Sequence, residues 1–153
     1  MSTATHNTLI SCVNDIQKQI DLYNHISALE LEYPHFKKWY YTTVLPETSV
    51  GLRKIIVAHI DDSFAGVLIL KDSDEKKICT LRVAPEYRGN GLGHQFMSIA
   101  LRELNTEHPL ITVSDKRIDE FKKLLHDYDF KFTEMYFERY IKNRYELAFN
   151  GHL

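Results

Sequence analysis

"RVAPEYRGNGLGHQF", from Arg82 to Phe96, sets three glycines at alternating positions between a strand-like run, "KKICTLRV", and an amphipathic stretch, "GHQFMSIALREL". Glycine loses more conformational freedom on folding than any other residue, so Gly89, Gly91 and Gly93 need a reason. Either the chain only turns a corner here, or its backbone must come close to something. A run of free backbone N–H groups leading into a helix makes a concave anion site, and the helix dipole strengthens it. Side chains on such a loop would block close approach. Arg88, at the loop's entrance, adds a fixed positive charge. Phosphate is the ligand chemistry that these residues favour.

The generic phosphate loops do not fit. A Walker loop needs GxxxxGK followed by Ser or Thr, and the chain contains no such string. A dinucleotide fingerprint needs GxGxxG, but the glycines are Gly89, Gly91 and Gly93, and His94 stands at the sixth position.

Upstream of the loop, "LISCV" (Leu9 to Val13) reads as a short strand. Asn14 or Asp15 can cap a helix carrying Ile16, Ile20, Tyr23 and Ile26 on one face. A second helix, "YPHFKKWYYTTVL", begins near Pro34 and is expected to stop before Pro46. "KIIVAHI", "SFAGVLIL" and "KKICTLRV" are β-branched runs with short polar separators, the pattern of an antiparallel meander. After the loop, Leu92, Phe96, Ile99, Ala100 and Leu104 recur at helical spacing. "PLITVS" follows as a strand buried on both faces, so strand, helix and strand make a crossover with a parallel pair. "RIDEFKKLLHDYDF" is a helix with Ile118, Phe121, Leu124, Leu125 and Tyr128 on one face. "FKFTEMYFERYI" and "YELAFNG" are closing strands. The order β-α-α-β-β-β-α-β-α-β-β specifies an α+β fold: a mixed, mostly antiparallel central sheet with helices on both faces. Residues 1–153 are expected to form one domain.

With 44% hydrophobic and 26% charged residues and a formal charge of −2, the chain has the balance of an ordinary globular protein. No global basic field invites bulk nucleic acid or a membrane surface. No apolar run reaches the roughly 18 residues of a membrane span, and "MSTATHNTL" lacks the regions of a signal peptide. The eight histidines show no metal-ligand spacing, so no metal is expected. Cys12 and Cys79, both in apolar runs, read as reduced core residues. A cytoplasmic protein is the simplest reading.

"LRVAPEYRGNGLG" resembles the acetyl-coenzyme A motif of the GNAT superfamily of N-acetyltransferases, V-x-P-x-x-R-G-x-G-x-G. Val83, Pro85, Arg88, Gly89, Gly91 and Gly93 stand at its six defining positions. The order of elements is also similar to that family over nearly all of the chain. The resemblance implies acetyl-CoA as cosubstrate and direct transfer of its acetyl group to an amine, without a covalent enzyme intermediate. It implies a bulged strand, splayed from its neighbour, whose backbone at Leu81, Arg82 and Val83 pairs with the pantetheine arm. The pyrophosphate would lie on the amides of Arg88, Gly89, Asn90, Gly91, Leu92, Gly93 and His94, with Ser114 and the helix from Arg117 beyond.

The proton-transfer groups are less plain. The family's usual acid, a tyrosine in a string like A-x-x-L-Y-x-x-x-G-F, is replaced by Leu125, and Ile118 stands where an asparagine is common. Tyr128, one turn on, is either a substitute acid or a core aromatic, while His126 belongs to the solvated face. Asp115 either orders a water as part of the base or caps the next helix. The acceptor would be a small-molecule amine or a protein or peptide amine. The acidic and aromatic residues of "LELEYPHFKKWYY" either grip it or pack on the sheet. A non-catalytic acyl-CoA-binding sensor or partner module is the alternative function that a missing tyrosine permits.

Overall fold

A computed structural model describes residues 7–153. Its frame is a seven-stranded sheet in the order β1-β2-β3-β4-β5-β7-β6. The strands are β1 (Thr8–Cys12), β2 (Arg53–Ile60), β3 (Ser63–Asp72), β4 (Lys76–Val83), β5 (Leu110–Ser114), β6 (Phe132–Phe137) and β7 (Tyr145–Phe149). All neighbours are antiparallel except β4 and β5. The meander and the parallel crossover therefore stand as the apolar runs indicate.

Helices cover both faces. On one, α4 (Leu92–Leu104) and α5 (Ile118–Asp127) bury Phe96, Met97, Ala100, Leu124 and Leu125 against Ile56, Leu68, Leu70 and Ile78. On the other, α1 (Ile16–Ile26) and an aromatic helical segment place Leu22, Tyr23, Phe36 and Tyr40 on Ile55, Val57, Val67 and Ile69. Each such side chain removed from water contributes about 1.5–3 kcal/mol, so the sheet is held by two apolar layers rather than by its edges.

Three expectations shift. Asp15 caps α1 by accepting from the Lys18 N–H at 3.0 Å, but the buried face is Gln19, Leu22, Tyr23 and Ile26, while Ile16 and Ile20 are exposed. Gln19 turns inward because its side-chain amide donates to the Val13 carbonyl at 2.9 Å, and its backbone carbonyl accepts from the buried Tyr40 hydroxyl at 2.6 Å. Pro46 does not end its helix. α2 (Phe36–Trp39) passes through a π-helical turn, Tyr40–Val44, into α3 (Leu45–Ser49). An α-helical Pro46 would press its ring on the carbonyl four residues back. The Leu45 N–H reaches the Tyr40 carbonyl instead, and this wider turn accommodates the ring. Cys12, finally, is exposed on the edge strand and Cys79 only partly buried; both are free thiols.

Gly66 on β3 shows how closely α4 approaches the sheet. A Cβ there would stand 2.7 Å from the Arg82 carbonyl and 2.8 Å from Phe96 Cε2. Gly66→Ala should therefore cost roughly 1–3 kcal/mol by overpacking. Thermal unfolding should show a fall of about 2–4 °C for each kcal/mol, and an unchanged midpoint would refute the contact.

Candidate active site

β4 is where the sheet opens. Its ladder with β3 passes from Leu70–Ile78 to Ile69–Thr80, leaving Cys79 as the extra residue of a bulge. On its other side β4 pairs with β5 only at Lys77–Leu110 and Ile78–Ile111. Beyond Ile78 the two strands part, while β5 stays paired with β7 on its other edge as far as Ser114. The β5-facing N–H and C=O groups of Cys79 to Val83 thus have no strand partner across the fork.

Two cavities occupy the opening. One, of about 500 Å³, is walled by Val83, Arg88, Gly89, Gly91, Gly93 and His94, with α5 opposite. The other, of about 300 Å³, reaches through the fork to Tyr33, Trp39, Thr112 and Ser114. They share the wall residues Leu81, Arg82 and Phe121, so the two adjoin along β4.

The glycines answer to two different needs. Gly89 and Gly91 both have φ of +82°, left-handed backbone that L side chains adopt only with strain. Gly93 lies on the helix, and a Cβ there would meet only Leu124 Cδ2, at 3.8 Å. Nothing stands within 4 Å of a Cβ at Gly89 or Gly91, so the loop's surface is open. The first bond of α4 runs from the Gln95 N–H to the Gly91 carbonyl at 3.1 Å. The amides of Leu92, Gly93 and His94 accordingly have no partner within the helix.

Around this cradle, Arg88 donates from Nε to the Val83 carbonyl at 3.3 Å and from a terminal nitrogen to Glu120 at 3.3 Å. The Asn90 amide folds back to the Tyr87 carbonyl, so this side chain closes the turn rather than lining the groove. His94 meets Asp127 at 3.0 Å, and that bond, with Lys123, holds the Asp127 carboxyl down at about 2. Arg82 is the central cation: one terminal nitrogen donates to Glu32 at 2.8 Å, while Nε and the other terminal nitrogen are buried with no hydrogen-bond partner. Burial lowers its pKa, and Glu32 opposes that shift. A buried donor left unpaired is costly, so these two groups suit the carbonyl or anionic oxygens of an acyl-CoA arm. The open amides, the parted strand and the unsatisfied Arg82 donors all fit coenzyme A.

The acid expected from the last helix, Tyr128, and the base expected at the end of β5, Asp115, do not gather here. The Tyr128 hydroxyl donates to the His94 carbonyl at 3.0 Å and meets Ser98 at 2.9 Å; it lines neither cavity. Leu125, where the family's tyrosine would stand, is in the core at 3% exposure. Asp115 neither caps α5 nor lines the groove. Arg117 is the α5 cap, and the Asp115 carboxylate lies 3.8 Å from Arg144. Ser114 does line the fork, and its hydroxyl accepts from the Lys116 N–H at 3.2 Å. The acidic residues of the aromatic segment are already engaged: Glu30 accepts from the Lys37 N–H, and Glu32 binds Arg82 and Arg117. Its aromatic residues do both things expected of them. Phe36 packs on the sheet, and Phe36, Tyr33 and Trp39 also wall the cavity.

What the sequence reading passed over is Glu146 on β7. It is 4% exposed, and one carboxylate oxygen accepts from Thr112 at 2.8 Å and from the Tyr33 hydroxyl at 3.2 Å, both of which line the fork. Burial pushes its carboxyl above the ordinary range, against the pull of those two bonds. Strand alternation held a signal, a Glu at an inward position of "YELAF".

Residues 28–140 match the sequence model of the acetyltransferase (GNAT) domain. Among solved structures the chain is similar to a GNAT-family acetyltransferase from Desulfovibrio desulfuricans, with a TM-score of 0.72 and 11% identity over 94% of this chain and 97% of that one. It is similar to Naa50 of Arabidopsis thaliana in complex with the bisubstrate analogue CoA-Ac-MVNAL, at 0.70 and 17% over 95% and 99%. An aminoglycoside 6'-N-acetyltransferase complexed with coenzyme A gives 0.66 and 11% over 92% and 94%. At these identities the likenesses speak to the fold. Among curated proteins, no sequence matches the chain. With more than half of its length matching the family and a bulged, splayed β4 leading into an open glycine loop, the chain belongs to the GNAT family and is an acetyltransferase.

Proposed function

We propose that the protein transfers an acetyl group from acetyl-CoA directly to an amine in the fork between β4 and β5, with Glu146 as general base. Acetyl-CoA supplies the activated acetyl thioester. The loop amides and Arg88 hold phosphate oxygens at one end of the groove. The unpaired strand groups of β4 and the two free donors of Arg82 bind carbonyl oxygens along it, and a donor aimed at developing negative charge lowers the barrier. Glu146 takes the acceptor's proton through the Tyr33 or Thr112 hydroxyl, each of which can donate to the carboxylate while accepting from the amine. A carboxyl raised by burial is the better base near neutral pH. The observation that carries this reading is the pair of adjoining cavities along β4, one walled by the glycine loop and the other by Tyr33 and Thr112, whose hydroxyls bind Glu146.

A cytoplasmic location belongs to the same proposal, and the free thiols of Cys12 and Cys79 support it. No helix among the described residues is long and apolar enough to cross a membrane. The test is CoA-thiol release from acetyl-CoA on adding a panel of amines. Amine-dependent release is expected; acetyl-CoA affinity without release onto any amine would mark a binding module instead.

A further inference from the structure

Three cations stand in one row across the sheet. The register sets Arg53 opposite Lys71 and Lys71 opposite Lys77, so all three share the face that carries the aromatic helices. All three line the fork cavity. Like charges directly opposite one another destabilise a sheet, and two of the three are offset. Arg53, 7% exposed, is bound to Glu47 at 2.5 Å with its guanidinium over the Trp39 ring. Lys71 reaches Glu75 at 3.2 Å. Lys77 has no ion pair among the described residues, and its charge acts on Glu146 and Cys79.

The charge in the cavity is therefore the reverse of what the acidic string before Pro34 leads one to expect. Glu32 is spent on Arg82 and Arg117, and Glu75 is the only acid among the described residues that wall the cavity. A polycationic acceptor would meet a net positive surface. Lys77 stands two residues before the bulge, about 7 Å along the strand from where β4 opens. The same strand runs about 20 Å from Lys77 to Val83 at the loop, so this cation is remote from the phosphate cradle. Lys77 and Tyr33 share this cavity with the aromatic side chains Phe36, Trp39 and Tyr140, and a volume of about 300 Å³ suits one small molecule.

We propose that the acceptor is a small primary amine that also carries a carboxylate, an amino acid with an apolar body, bound through Lys77. This rests on the fork being the site of acetyl transfer. In that transfer the amine nitrogen forms the amide bond as the acetyl carbon–sulfur bond breaks. The acceptor's ammonium gives one proton to Glu146 to become the nucleophile, the second proton that amide formation releases passes through solvent to the departing sulfur, and CoA leaves as the thiol. Lys77 meets the carboxylate, Trp39 and Phe36 the apolar body, and the amine points to Tyr33.

Phenylalanine against phenylalaninamide, with spermidine as the cationic control, separates the charge of the acceptor from its shape. In CoA-thiol release the acid should exceed the amide in kcat/KM by tenfold or more, a difference of about 1.4 kcal/mol. Lys77→Gln should collapse that ratio towards one by raising KM for the acid, with the acetyl-CoA dissociation constant as in the wild type. Trp39 is the sole tryptophan of the chain, so its fluorescence gives a readout without turnover. In the presence of CoA, N-acetylphenylalanine should shift it at lower concentration than N-acetylphenylalaninamide. Equal or better use of the amide or spermidine, an unchanged ratio in Lys77→Gln, or equal titration of the two acetylated probes overturns the acceptor class. If acetyl-CoA still binds in that event and CoA thiol is released onto any amine of the set, the transferase reading stands. If acetyl-CoA does not bind the wild type at all, the transferase reading falls and this one with it.

Discussion

Glu146→Gln should lower kcat/KM at neutral pH by roughly a hundredfold or more, the usual scale of a lost general base. The substitution keeps the shape and one acceptor oxygen for Thr112 or Tyr33, so the fold should persist. It removes the basicity. The acid limb of the wild-type pH–rate profile should therefore flatten in the variant. Stability should move the other way. Burial raises the Glu146 pKa in the folded state above its unfolded value. The stability linked to the neutral carboxyl is present below the unfolded pKa and is lost as pH rises through the folded one. Glutamine is neutral throughout, so the variant should gain in melting temperature relative to the wild type as pH rises above the unfolded carboxylate pKa of about 4.3. A variant that keeps wild-type kcat/KM at every pH would remove Glu146 from the mechanism.

Gly93→Glu should abolish acetyl-CoA binding while leaving the protein as stable as before. At Gly91 the same substitution would mix two effects, because φ of +82° there costs an L residue roughly 1–2 kcal/mol. Gly93 has helical backbone, and its Cβ would make ordinary contact with Leu124. Replacing a helical glycine gains up to about 1 kcal/mol, and a carboxylate in the first turn complements the helix dipole. The same side chain enters the cavity where phosphate oxygens are to lie and repels them. Thermal melts should show equal or higher stability without ligand. The upward shift that acetyl-CoA gives the wild type should vanish in the variant. A ligand-induced shift of wild-type size would mean that the loop does not hold the pyrophosphate.

Much of this architecture is written in local pattern. Leu92–Leu104 is a helix because its apolar residues keep a 3.6-residue period after a run that cannot be helical, and the boundaries coincide with the expected ones. The three β-branched runs form β2, β3 and β4, and the crossover after them fixes the parallel pair at the fork. Elsewhere tertiary partners overrode the pattern. Gln19 is buried because two backbone-linked bonds await it, which no hydropathy count registers. Pro46 continues a helix because a π-helical turn precedes it. In the site, the loop was legible as a contiguous motif, whereas the proton-transfer groups were not. Tyr128 and Asp115 were candidates by nearness in sequence, but each is drawn off by a neighbour, the His94 carbonyl and Arg144. Glu146 joins the site through Tyr33, 113 residues away in sequence. Only the folded sheet brings them together.

The central claim is that the groove along β4 is an acetyl-CoA site, and calorimetric titration of the purified protein with acetyl-CoA tests it most directly. Saturable binding at one site per chain, with a micromolar dissociation constant weakened at least a hundredfold in Gly93→Glu, about 2.8 kcal/mol, is the expected result. No heat of binding to the wild type, or equal affinity in the two proteins, would contradict it.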